Sequence, residues 1–164
     1  MPIVDQLLPE YEREMALTRR LLERLPAARL SWSPHPRSMS LGALASHVVE
    51  LADWQDVISR PAFDVSAASM PPPSASPAEA LDRFDRHVAG TRRALDGRTD
   101  GELLDIWSVT RGDDTLLTMP KVTMLRAVLL NHLIHHRGQL TVYLRLNGVP
   151  LPSIYGPSAD EGAS

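Results

Sequence analysis

The amino-acid sequence predicts an all-α protein: a four-helix bundle with one long crossover and a short β-hairpin inserted before the last helix. Three observations carry this. Four segments repeat apolar residues at steps of three and four, the spacing of a helix face turned towards a core. A proline-rich stretch between the second and third of them is long enough for the third helix to start away from the end of the second. The helical period fails between the third and fourth, over residues 103–118, where two β-like runs flank a turn.

The first helix is predicted over residues 3–25, with Leu7, Tyr11, Met15, Leu21, Leu22 and Leu25 as its stripe. Pro9 suits a first turn if the helix starts near Leu7 or Leu8, and Pro26 ends it. Residues 26–39 hold three prolines and no sustained period, so they read as a loop that Trp32 anchors on the bundle. The second helix covers residues 41–59, with Ser40 as N-cap and Leu44, His47, Leu51, Trp54 and Ile58 inward. Residues 60–75, including SAASMPPPSAS, form an extended connector.

Ser76-Pro77-Ala78-Glu79 reads as a capping box with proline at the first helical position. The third helix follows to about Asp96, with Leu81, Phe84, Val88, Thr91 and Leu95 inward and Gly97 as C-cap. Arg111-Gly112-Asp113-Asp114 is the expected hairpin turn. Pro120 opens the fourth helix, which runs to Asn147 before Gly148 and Pro150 stop it. In the tail, Ile154 and Tyr155 are expected to pin the chain to the body, and the last residues to fray.

With 164 residues, 43% of them hydrophobic and 23% charged, the chain reads as a single domain, 1–164, able to bury its own core. The net charge of −3, with no long basic block, argues against nucleic acid as a partner. The Arg19-Arg20 and Arg92-Arg93 pairs read as solvated helix faces. There is no cysteine, so any metal must be held by His, Asp or Glu. MPIVDQLLPEYERE lacks the pattern of a signal peptide, and no apolar run is long enough to span a bilayer, so no membrane partner is expected and the default location is cytoplasmic.

The chemistry gathers in Met124–Gly148. His132 and His136 stand one turn apart, in phase with Leu125, Leu129, Leu140 and Tyr143. His47 holds a core-facing position on the second helix and is the candidate third ligand. Three neutral imidazoles suit Zn, Ni, Fe or Co and leave a coordination position for water or substrate. Spacing alone leaves open the plainer reading, histidines satisfied by core hydrogen bonds, since a chain with six histidines yields such pairs by chance. Three buried imidazoles without polar partners would be costly, which favours the metal. His35, between two prolines, His87, one step off its stripe, and His135, about 100° from the pair, are not expected ligands. Glu50, Asn131 and Gln139 lie within a turn of the candidates, and Glu50 could orient a ligand or act as a general base. No G-x-S-x-G elbow, Walker loop or dinucleotide glycine fingerprint is present. A di-iron bundle needs Glu three residues before each histidine, where Leu129 and Leu133 stand.

The run NHLIHHRGQLTVYLRLNGVPLPSIYGPSADE, Asn131 to Glu161, resembles the C-terminal segment of the DinB-like (DinB/YfiT) superfamily, and SWSPHPRSMSLGALASHVVELADW, Ser31 to Trp54, resembles its first conserved block. The resemblance implies up-down-down-up topology, a homodimer, and a divalent metal, nickel or zinc, on a histidine triad that falls on His47, His132 and His136. Characterised relatives include thiol-dependent S-transferases and a mycothiol-dependent maleylpyruvate isomerase. The implied function is a metal-dependent transferase of the thiol S-transferase type, or a hydrolase, acting on a small electrophile, with a low-molecular-weight thiol as cosubstrate for the first. The alternatives are a non-catalytic dimeric bundle with a structural or sensory metal, and an interaction module without metal.

Overall fold

Leu7, Tyr11, Met15, Leu21 and Leu22 are all buried along α1, Ile3–Leu22, as their spacing requires. The helix nevertheless starts earlier than Pro9 suggests. Pro9 sits inside it, where the missing N–H costs one bond to the turn before. Asp100 helps at the front end, its Oδ1 accepting from the Ile3 N–H at 2.7 Å. The helix ends at Leu22 rather than at residue 25, and the chain turns with Leu25 N–H bonded to the Leu22 carbonyl. The computed structural model describes residues 1–69 and 71–162; Met70 in the expected connector, and Ala163 and Ser164 in the expected frayed end, lie outside the described residues.

The second predicted helix is two. α2 spans Leu41–Glu50, with Ser40 accepting from the Ala43 N–H as N-cap, and α3 spans Gln55–Ser59. Side chains from other elements occupy the break. The Ala52 carbonyl accepts from the Tyr11 hydroxyl at 2.7 Å and from Thr91 Oγ1 at 3.1 Å, and the Trp54 N–H donates to Thr91 Oγ1 at 2.9 Å. Trp54 is thereby swung into the core, edge-on to Tyr11 with ring centroids 4.4 Å apart.

After the break, Ala62–Asp64 form a short strand, β1, in what the sequence marks only as a connector. Three residues are too few to display an alternating pattern. α4 spans Pro77–Leu95. Ser76 accepts from the Glu79 N–H as expected, but the Glu79 carboxylate reaches the Ala75 N–H, one residue before the cap, so the capping box is not reciprocal. A short α5, Asp100–Leu104, carries a true capping box through Thr99 and Glu102. β2, Ile106–Arg111, and β3, Asp114–Pro120, then form the expected hairpin, and β1 pairs parallel to β2 to complete a three-stranded sheet in the order β1-β2-β3. Asp64 Oδ1 accepts from the Gly112 N–H and ties β1 to the hairpin turn.

The last helix runs without a backbone break through α6, Lys121–Thr123, a π-helical stretch Met124–Leu130, and α7, Asn131–Leu146. The π stretch corrects the expected phase. A wide turn uses an extra residue, so the fully buried positions step from Leu125 to Leu130 and continue at Leu133, Arg137, Leu140 and Leu144. Leu129, His132, His136 and Tyr143 fall half-buried on the flank of that stripe. At the end, Gly148 takes a φ of 72°, its N–H bonds the Arg145 carbonyl and the Val149 N–H bonds the Leu144 carbonyl, the double bond pattern of a glycine-terminated helix.

The molecule is mostly helical with a small sheet. α1 packs on α4 and α7, and α2 packs on the same two. Among the described residues no helix is long and apolar enough to cross a membrane.

Candidate metal centre

α2 and α7 lie side by side, and their contact brings the three predicted histidines together. His47 Nε2 is 3.3 Å from His132 Nε2, which is 2.8 Å from His136 Nε2. One ligand atom from each residue lies within 4.8 Å of those of the other two, and all three side chains are half-buried. Zinc–nitrogen bonds of about 2.05 Å in tetrahedral array separate the nitrogens by roughly 3.3 Å. The first contact already has that spacing, and the second would have to open by roughly half an ångström to admit an ion. The donor set and the geometry fit a divalent metal, and the group has three members among the described residues.

Electrostatics favour the same use. Burial, followed by the neighbouring imidazoles His136 and His132, holds the His47 pKa below its ordinary value against the opposing pull of Glu50. Burial and then His136 and His135 lower that of His132. Neutral imidazole is the form that ligates. Gln139 Oε1 accepts from His136 Nδ1 at 2.7 Å, which leaves the Nε2 lone pair directed at the cluster. The Gln139 amide is itself oriented by donating to His135 Nε2 at 3.1 Å.

Of the other expected residues, Glu50 ends α2 one turn beyond His47, with its carboxylate 3.1 Å from Arg83 and 3.5 Å from His87 Nε2. His87 reaches Asp53 at 3.0 Å through Nδ1, so it belongs to a carboxylate pair and not to the triad. Asn131, His35 and His135 are exposed. A cleft beside His47 and another beside Gln139, both bordered by Met39, escaped sequence reasoning because each is closed only where a loop folds over a helix face. Glu14 also escaped it, although a charged residue in phase with the α1 stripe was a usable signal, and so did Arg137, which enters the buried phase only through the shift that the π stretch imposes.

The fold and the site define a helical protein with three imidazoles, from two helices, in ligating arrangement. The chain belongs to the DinB family, whose model matches residues 1–163. It is 29% identical over 160 residues to the uncharacterized protein YrdA of Bacillus subtilis, covering 98% of this chain and 92% of that one. A DinB-like protein from Bacillus cereus is 28% identical, with a TM-score of 0.73 over 92% of this chain and 97% of its own. A second DinB-like protein, from Bacillus subtilis, shares the fold at 21% identity, with a TM-score of 0.68 over 91% of this chain and 96% of its own.

Proposed function

We propose that this protein is a metal-dependent enzyme that transfers a small thiol to, or hydrolyses, a small electrophile. The observation that carries the reading is an open set of three convergent imidazoles, with no fourth protein ligand in the group among the described residues, next to a cleft. A structural metal would call for a closed set of four. A divalent metal held there, nickel or zinc in our reading, supplies Lewis acidity that makes a bound thiol or water nucleophilic at neutral pH.

The chain's own residues do the rest. His47, His132 and His136 hold the ion, and Gln139 fixes the tautomer of His136. Glu50 is the carboxylate we assign to take the proton. Arg83 holds it in place by hydrogen bonding. In the thiol reaction the sulfur loses that proton and bonds to the electrophilic carbon, and the leaving group departs with its bonding pair. In hydrolysis, water takes the place of the thiol.

We further read the whole chain as one domain, in which α1, α2, α4 and the last helix form an up-down-down-up bundle. One continuous cluster of buried side chains draws on all four, which supports this. We also read it as a homodimer. Leu104 and Ile106 are exposed beside β3, an edge strand carrying exposed Leu116 and Leu117, and such an edge is a ready surface for a second copy. A cytoplasmic location completes the proposal.

The test is to titrate the purified protein with Ni²⁺ and Zn²⁺, then assay conjugation of thiols to model electrophiles and ester hydrolysis. One equivalent of metal, its loss in His47→Ala but not in His35→Ala, and turnover with either substrate class are expected. Tight metal binding with no turnover of any thiol or ester substrate would leave the structural or sensory alternative standing in its place.

A further inference from the structure

Two clefts flank the triad and differ in chemistry. The larger, about 450 Å³, lies on the Gln139 side and presents Ser38, Gln139 and Tyr143 alongside Leu44 and Val142. The smaller, about 270 Å³, lies against His47 between α2 and the proline segment that follows β1. Its walls are Met39, Ala43, Pro71 and Pro73, and its polar end is Ser46, His47 and Glu50.

We propose that this smaller cleft seats the body of the substrate and selects an uncharged, compact, apolar molecule. The inference rests on the metal-centre reading for the word substrate, but the selectivity follows from the walls alone. Four of the lining side chains offer only carbon or thioether surface, and an unpaired charge lodged among them would lose its hydration without compensation. The one carboxylate, Glu50, is answered by Arg83, whose guanidinium also reaches Glu79 at 3.0 Å and does not line the cleft. An anionic body finds no side-chain cation in that lining among the described residues, and a metal on His47 would draw its charge to the reacting end and not seat it among the carbon walls. A cationic one gains little from a carboxylate already paired, and a metal on His47 would repel it. The polar, reacting end of the molecule belongs at His47.

The cleft is also formed in advance. Proline fixes φ along Pro71–Pro73. The segment is fastened to α2 by the Ser74 N–H on Ser46 Oγ, 2.8 Å, and to α4 by Arg83 on the Pro72 carbonyl, 3.2 Å, and the Ala75 N–H on Glu79, 2.8 Å. A wall held this way costs little further ordering when a ligand enters. Its volume lies just under the range of about 300–1,000 Å³ typical of pockets for drug-sized molecules, hence a compact ligand.

The experiment uses the full chain loaded with Zn²⁺ and two fluorescent probes of similar shape, neutral N-phenyl-1-naphthylamine and its sulfonated relative 1-anilinonaphthalene-8-sulfonate. Saturable binding of the neutral probe, at least about tenfold tighter than the sulfonate, is expected. Ala43→Phe, which fills the cleft, and Pro73→Asp, which charges its exposed wall without touching the core, should each weaken the neutral probe by about tenfold or more at unchanged zinc stoichiometry. Val142→Phe, in the other cleft, should leave it unchanged. Equal or tighter binding of the sulfonate overturns the assignment, as does a neutral probe insensitive to both cleft variants. Zinc stoichiometry, measured separately, reports on the metal reading alone, so a protein that selects the neutral probe yet binds no zinc keeps the cleft and loses the enzyme.

Discussion

His136 shows how little a candidate ligand owes to its own position. Its ring orientation comes from Gln139, one turn on, and Gln139 is in turn held by exposed His135. Gln139→Ala removes the acceptor at Nδ1 while leaving all three ligands, so zinc affinity should fall by about 10- to 100-fold, the usual cost of losing such a partner. Isothermal titration measures it, and an unchanged affinity would show that the bond contributes nothing to the centre. The lowered pKa values of His47 and His132 carry a second prediction. Because both groups sit below the ordinary histidine value of 6.5, these two nitrogens stay mostly unprotonated down to pH 6.5. Metal should therefore be retained as pH falls to 6.5 and lost as it falls further through the lowered values. The stability of the apo protein follows the same sign, since below 6.5 the unfolded chain binds more protons than the folded one. Retention measured by elemental analysis across a pH series checks it; loss already complete at pH 7 would contradict the shifts.

At the scale of elements, the break between α2 and α3 is where distant residues decide local structure. Thr91, 37 positions after Trp54, accepts the Trp54 N–H and donates to the Ala52 carbonyl. Thr91→Val keeps the shape and removes both bonds, leaving a buried N–H unpaired. A loss of about 1–3 kcal/mol is expected in urea unfolding. A loss near zero would mean that the break closes into continuous helix in the variant. This also explains what the sequence could and could not disclose. Stops and starts set by local chemistry were legible: Ser40 and Ser76 as N-caps, Gly148 as the end of α7, and Gly112-Asp113 as a hairpin turn. The α2–α3 break was not, because its cause lies on another helix. Nor was the π stretch, whose residues, Met124–Leu130, have an ordinary helical composition. The triad survived that omission because a one-residue shift moved His132 and His136 from the centre of the buried face to its flank, still against α2.

At the scale of the whole molecule, one polar cluster joins α1, α7 and the tail. Arg137, 1% exposed, donates to Glu14 Oε2 at 2.7 Å and to the Glu14 carbonyl at 3.0 Å, while the Tyr155 hydroxyl donates to the same carboxylate oxygen at 2.6 Å. The tail is fastened again by Glu161 on Arg20 and Arg24 and by Asp160 on Arg145, exposed pairs worth little singly. The buried pair is different. Burial alone would raise the Glu14 pKa, and it is the largest single influence, but the bonds from Tyr155 and Arg137 outweigh it and hold the carboxyl below its ordinary value of 4.5. Arg137→Leu strands that carboxylate in the core, and a loss of about 3–5 kcal/mol is expected, the cost of leaving one buried charge without its partner. Adding Glu14→Leu should return much of it, because two apolar side chains in contact replace two charges that both had to be desolvated. The sign with pH follows from the lowered pKa. The contribution of Glu14 is present above 4.5 and disappears as pH falls through the folded value, so wild type should weaken in acid more steeply than the double variant. Urea unfolding of wild type, Arg137→Leu and the double variant at pH 7 and pH 3.5 tests both statements. If the double variant is no more stable than Arg137→Leu, the pair holds the tail and α7 in register by geometry that leucine cannot supply, and charge neutralisation is not its main contribution.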